Sequence, residues 1–246
     1  MPEQLQVAVG GGVAWLTFDN VARRNALTIA MCRSLLDELE RIEEDPDVRV
    51  IVLRGAGDEA FMSGADIAEQ DDPAASRAIA AFHAALRAAS RPVIAMIHGF
   101  CLGGGLATAL EADLRIAADD SVLGIPAARL GVGYPHESVR RLVDVAGPAV
   151  AADVLYTARQ VRAQEALRLG LVQEVLPRER LEARVTRLAA TIAANAPLTI
   201  RAAKAAIRGD DPDEVARLVA LCRYSEDLAE GTRAFFERRP PRFRGR

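Results

Sequence analysis

Apolar positions along this chain change period, and the changes mark out its elements. Residues 5–9 and 13–18 are rich in β-formers and flank Gly10, Gly11 and Gly12, which predicts a hairpin. Thr28 then stands where a helix would be capped. Ile29, Cys32, Leu35, Leu36, Leu39 and Ile42 follow at helical spacing, and Asp45-Pro46 closes the pattern. Residues 48–53 are apolar apart from Arg49, as expected of a parallel strand buried on both faces, and Arg54-Gly55-Ala56-Gly57 ends the run. A helix over 74–89, a strand over 93–97, a helix through Ala107, Leu110 and Glu111, and strands near 114–117 and 121–123 come next.

From Glu137 onward the pattern is helical, with one short strand predicted over 171–176 and breaks at Gly147-Pro148, Pro177, Pro197 and Gly209-Asp210-Asp211-Pro212. Strands alternate with helices first and helices dominate later. That order predicts an α/β core over residues 1–196 and a helical C-terminal region over 197–246, whose Leu218, Leu221 and Leu228 need a surface to cover them.

Composition narrows the function classes. A chain of 246 residues, half of them apolar, can build one large core, and its formal charge of −3 provides no field to recruit nucleic acid or an acidic membrane. Arg238, Arg239, Arg242, Arg244 and Arg246 crowd the end of the chain, and they read either as a phosphate footprint or as a solvated tail. No basic-then-apolar leader is visible, and charges interrupt every apolar run before the roughly 18 residues a membrane span needs. A soluble, cytoplasmic protein is expected. Cys32, Cys101 and Cys222 lack metal-type spacing, so neither a metal site nor a disulfide framework is expected, and Cys101 reads as core packing.

The candidate chemistry lies in two glycine segments, Ser63-Gly64-Ala65-Asp66-Ile67 and Leu102-Gly103-Gly104-Gly105-Leu106, each between an apolar strand-like run and a helical pattern. Glycine admits a ligand close to the main chain, and free N–H groups at a helix start carry partial positive charge. Two such groups, those of Ala65 and Gly104, are the candidate donors of an oxyanion hole.

Both segments, together with Arg24-Asn25-Ala26-Leu27, residues 91–99, the Ala-Leu-Arg-Leu-Gly-Leu run at 166–171 and residues 230–239, resemble the crotonase (enoyl-CoA hydratase/isomerase) superfamily. The resemblance covers nearly the whole chain. It implies a spiral of strand–strand–helix units, a coenzyme A thioester as substrate with no separate cofactor, and a homotrimer or dimer of trimers. Nucleic acid and membrane are not expected as partners. It further implies that Ala65 and Gly104 hold the thioester oxygen, that Gly64, Gly103, Asp66 and Ile67 lie along the coenzyme, that Arg24 and Ala26 line its route, and that Arg238 or Arg239 reaches a phosphate. Asp66 also reads as a helix cap.

By the same resemblance, the positions of the two hydratase glutamates are Ala107 and Ala127. Poor hydration of ordinary enoyl-CoA is therefore expected. Proton handling then falls to the loop from Leu130 to Glu137, with Tyr134, His136 and Glu137 as candidates, and Tyr134 resembles the loop tyrosine of the methylmalonyl-CoA decarboxylase branch. That branch carries a histidine where this chain has Ala65. A non-catalytic acyl-CoA binder is the other reading. His83, His98, Glu111 and Asp113 are read as structural.

Overall fold

The structure is a computed structural model and describes residues 4–69 and 72–246. It opens with the expected hairpin, β1 (Gln4–Gly10) paired antiparallel with β2 (Val13–Asp19). Helix α1 (Ile29–Glu44) starts at Thr28, whose hydroxyl accepts the Met31 N–H at 3.1 Å and so satisfies one orphan donor of the first turn.

A strand–strand–helix order then repeats. β3 (Val50–Gly55) and β4 (Ala60–Met62) lead to α2 (Pro73–Ala88), β5 (Val93–Ile97) and β6 (Phe100–Leu102) to α3 (Gly104–Glu111), and β7 (Leu114–Ala118) and β8 (Val122–Gly124) to α4 (Ala127–Leu130). The first strand of each pair joins one sheet and the second joins another. Strand order is β1-β2-β3-β5-β7-β10 in the six-stranded sheet and β4-β6-β8-β9 in the four-stranded one, with β9 at Gln160–Arg162 and β10 at Glu174–Leu176. Between and after these strands run α5 (His136–Ala146), α6 (Pro148–Thr157), α7 (Ala163–Arg168) and α8 (Arg178–Ala193).

The large sheet is covered on both faces at β3 and β5, which is why those strands read as nearly continuous apolar runs. Alternate side chains part to opposite sides: Ile51 and Leu53 enter the main core with α1 and α2, while Val50 and Val52 pack on Leu181, Val185 and Ala189 of α8. Phe18 of β2 meets Phe61 of β4 and Phe82 of α2 edge-on at 5.7 and 6.5 Å, tying both sheets to α2.

Two expectations need correction. The strand predicted over 171–176 is confined to Glu174–Leu176, because Leu171 and Val172 are buried in the main core before the chain straightens. The stretch after Glu137 holds a second strand, β9, whose exposed-buried-exposed alternation spans only three residues, too few to be read from sequence.

Residues 197–246 form α9 (Pro197–Arg208), α10 (Pro212–Arg223) and α11 (Glu226–Glu237), with Ala202, Ala205 and Leu218 in a small cluster of their own. Leu221, Leu228, Phe235 and Phe236 stay exposed. The arginine-rich end is docked. Asp227 accepts the Arg244 and Gly245 N–H groups at 2.6 and 2.8 Å, and the Phe243 carbonyl accepts from Arg49 at 2.7 Å. Among the described residues no helix is long and apolar enough to cross a membrane.

Candidate active site

The two glycine segments meet at the ends of β4 and β6. Gly64 has φ +105°, a conformation open to glycine and costly for any other residue. Its carbonyl accepts the Leu27 N–H at 2.8 Å, and the Asp66 N–H donates to the Leu27 carbonyl at 2.8 Å. Those two bonds fix the residues on either side of Ala65. The Ala65 N–H itself has no acceptor among the described residues.

The second segment turns into α3. Gly103 caps that helix, donates to the Gly124 carbonyl at 2.8 Å, and accepts the Ala107 N–H at 3.1 Å. Gly105 allows the close approach: a methyl group there would stand 2.1 Å from the Met62 carbonyl oxygen, deep inside van der Waals contact. The Gly104 N–H, first in the helix, also lacks an acceptor among the described residues. A methyl on Gly104 would lie 3.4 Å from the Ala65 nitrogen, and one on Gly64 would lie 3.3 Å from the Gly104 nitrogen. The two amides are neighbours on one wall.

That wall bounds a cavity of about 750 Å³. Gly64, Ala65, Gly103 and Gly104 form one side, and Ala107, Ala127, Tyr134 and Glu137 contribute to the rest. Helix α2 adds Ser76, Ile79, Ala80, His83, Ala84 and Arg87, a face with the three-to-four spacing of one helical stripe. From sequence His83 reads as structural, and here it lines the cavity with the rest of this face. The signal for the stripe was there in the alanines, too small to fill a core alone.

His83 is buried, and its Nε2 lies 2.9 Å from the Thr108 hydroxyl. Burial, helped by the charge of Arg87, pulls its pKa down to about 4, so the ring is neutral near pH 7. Arg87 clamps the buried Glu111 through two bonds of 3.0 and 2.6 Å, and Arg141 stands 3.8 Å away, which accounts for Glu111 as an ion-pair partner. Asp113 accepts from the Val93 N–H at 2.7 Å and from Lys204 at 2.8 Å, also as a brace. His98 is buried away from the cavity, with Nε2 unpartnered among the described residues. Burial pushes the thiols of Cys101 and Cys32 up, Cys32 to about 12, which leaves both protonated and inert.

The other expected residues fall in different places. Ala26 and Asp66 line the cavity. Asp66 caps the next turn by accepting the Ala68 N–H at 2.9 Å and pairs with Arg23, which lines the cavity in its turn. Arg24 turns instead to Glu59 at 3.0 Å and lies over the Phe100 ring at 4.9 Å. The side chain of Ile67 lies outside the described residues. His136 is exposed at the start of α5 and is not in the cavity wall, whereas Glu137 is. Arg239 folds back on Glu230 and Glu237, both at 2.6 Å, and Arg238 is exposed beyond α11. Neither reaches the cavity of its own chain.

Two adjacent main-chain donors facing a cavity invite comparison with known proteins. The model of the enoyl-CoA hydratase/isomerase family matches residues 8–246. The chain belongs to that family. It is 34% identical over 233 residues to a crotonyl-CoA hydratase from Syntrophomonas wolfei, with 89% of each chain covered. An (E)-benzylidenesuccinyl-CoA hydratase from Thauera aromatica is 35% identical over 261 aligned positions, with 100% of each chain covered. Among solved structures, an enoyl-CoA hydratase/carnitine racemase from Magnetospirillum magneticum superposes with a TM-score of 0.91 at 35% identity, covering 98% of this chain and 96% of the other. Family membership and the strand–strand–helix spiral therefore agree.

Proposed function

We propose that this protein is an acyl-CoA enzyme that holds the thioester carbonyl oxygen between the N–H groups of Ala65 and Gly104 and stabilises the enolate formed there. The observation that carries this reading is the pair of unengaged amides, side by side on the cavity wall. A thioester suits the arrangement because its α-carbon becomes more acidic as charge on oxygen is stabilised in a water-poor, prearranged site. The named relatives act on coenzyme A thioesters, which supports the same substrate class.

Hydration of an enoyl group needs groups that activate water and deliver a proton. Ala107 and Ala127, on the wall where hydratases of the family are expected to carry glutamates, can do neither. Of the two carboxylates on that wall, Asp66 is spent on Arg23 and the Ala68 N–H, which leaves Glu137 as the candidate proton carrier. Ordinary crotonyl-CoA hydration is therefore slow. A decarboxylation is the second reading, favoured by the same missing pair, because departing carbon dioxide leaves the enolate without any base. The exposed Leu221, Leu228, Phe235 and Phe236 support a homotrimer or dimer of trimers built on the C-terminal helices.

The test is a panel of CoA thioesters, including crotonyl-CoA and carboxylated acyl-CoAs, scored for turnover and, by calorimetry, for binding. Thioester binding with slow crotonyl-CoA hydration and turnover of another member is the expected result. Fast crotonyl-CoA hydration would overturn the assignment of positions 107 and 127. Binding across the panel without turnover would make the protein an acyl-CoA binder, and failure to bind any thioester would overturn the oxyanion hole itself.

A further inference from the structure

One peptide group carries both the Gly104 N–H and the Gly103 carbonyl. That carbonyl oxygen accepts the Ala107 N–H, as any helix cap would, and it also accepts the Tyr134 hydroxyl at 3.0 Å, from a loop 31 residues further along the chain. Gly103 has φ +55° and ψ −120°, and Gly104 follows it, so the peptide between them is held by no side chain of its own. Rotation of that peptide would turn its N–H away from the cavity. The Tyr134 bond opposes the rotation from the opposite end of the same plane.

The bond also acts electronically. A donor on an amide oxygen draws charge from the nitrogen and makes the N–H a stronger donor, the cooperativity of a hydrogen-bonded chain. Tyr134 packs against the main core, and burial raises its ionisation above the ordinary tyrosine range, so the phenol keeps its proton. Its hydroxyl is thereby committed to the main chain.

We propose that Tyr134 is a positioning residue: by donating to the Gly103 carbonyl it aims and strengthens the Gly104 N–H that receives the thioester oxygen. This rests on the oxyanion reading above. It gives the loop tyrosine a task on the protein rather than at the reacting carbon.

The probe is a dimethylaminocinnamoyl thioester of coenzyme A, whose absorption moves to the red as its carbonyl is polarised. Wild-type protein is expected to bind it with a red shift. Tyr134→Phe is expected to reduce the shift measured at saturation while Kd changes by less than about 3-fold, and to lower kcat on a turned-over thioester about 5- to 10-fold, the worth of one hydrogen bond. Protein grown with fluorotyrosine, a more acidic phenol, is expected to increase the shift. The other two tyrosines, Tyr156 and Tyr224, are 80% and 85% exposed, so that change acts in the cavity at Tyr134 alone.

A hydroxyl that merely braced the loop would alter Kd or stability and leave the saturating shift unmoved. An equal shift in all three proteins would overturn the role of Tyr134 and leave the oxyanion hole standing. Binding to wild-type protein with no shift would remove the hole, and the role of Tyr134 with it. Should Tyr134→Phe fail to fold, the fluorotyrosine protein, which keeps the hydroxyl, decides the matter.

Discussion

The two sides of the cavity are made of different material. One side, at Gly64–Ala65 and Gly103–Gly104, presents main chain, whose N–H groups no side-chain substitution removes, although Tyr134 from the opposite side aims one of them. The other side, from α2, α4, the loop before α5 and the first turn of α5, presents alanines, His83, Arg87, Tyr134 and Glu137, each replaceable by a single substitution. The difference divides the labour. Polarising an oxygen belongs to the backbone side, and the fate of the neighbouring carbons belongs to the side-chain side.

The sharpest way to break that division is Gly104→Ala. The added methyl would press on Gly64 Cα at 3.3 Å and on the Ala65 nitrogen at 3.4 Å, between the two donors. Turnover on any accepted thioester should fall roughly 100- to 1,000-fold, about 3 to 4 kcal/mol, the usual loss of one oxyanion donor. Steady-state kcat/KM measures it, and a loss of under about 3-fold would detach the backbone side from catalysis.

On the side-chain side, His83 makes a stability prediction. Its pKa is about 4 when folded and 6.5 when free, so the unfolded chain takes up a proton first as pH falls. Stability is full above pH 6.5 and declines between 6.5 and 4 by up to about 3 kcal/mol. Urea titrations at several pH values should show that slope in wild-type protein and lose most of it in His83→Gln, which keeps a polar group facing Thr108. An unchanged slope in the variant would mean that His83 is not held neutral by burial.

A gain of function sharpens the comparison from the other direction. Ala107→Glu combined with Ala127→Glu restores a carboxylate pair to the wall beside an untouched backbone side. Crotonyl-CoA hydration should rise about 10-fold or more, the lower part of what general acid–base groups contribute. No gain in a well-folded double variant would count against the geometry of the hole.

Much of the backbone side was legible from sequence, because it depends on glycine and on long strands. The hairpin, the Thr28 cap, β3, β5 and both glycine segments follow from period and residue type, and the structure brings the two segments together. The rest was less legible. Strands β4, β6 and β9, three residues each, are too short for alternation to register, yet they build the small sheet that sets the two segments side by side. Arg23 was passed over for Arg24, and only the left-handed turn at Arg24 and Asn25, φ +52° and +58°, decides which arginine faces the cavity. From its charge alone the tail read as a phosphate footprint or a solvated end. Its anchors are main-chain N–H groups on Asp227 and Glu230, which composition does not display.

The most direct measurement is a crystal structure of the protein with a saturated acyl-CoA, which can be neither hydrated nor decarboxylated. The thioester oxygen is predicted to lie within about 2.7 to 3.1 Å of both the Ala65 and the Gly104 nitrogen. An oxygen that meets one nitrogen only, or an acyl group seated elsewhere, would contradict the two-amide site.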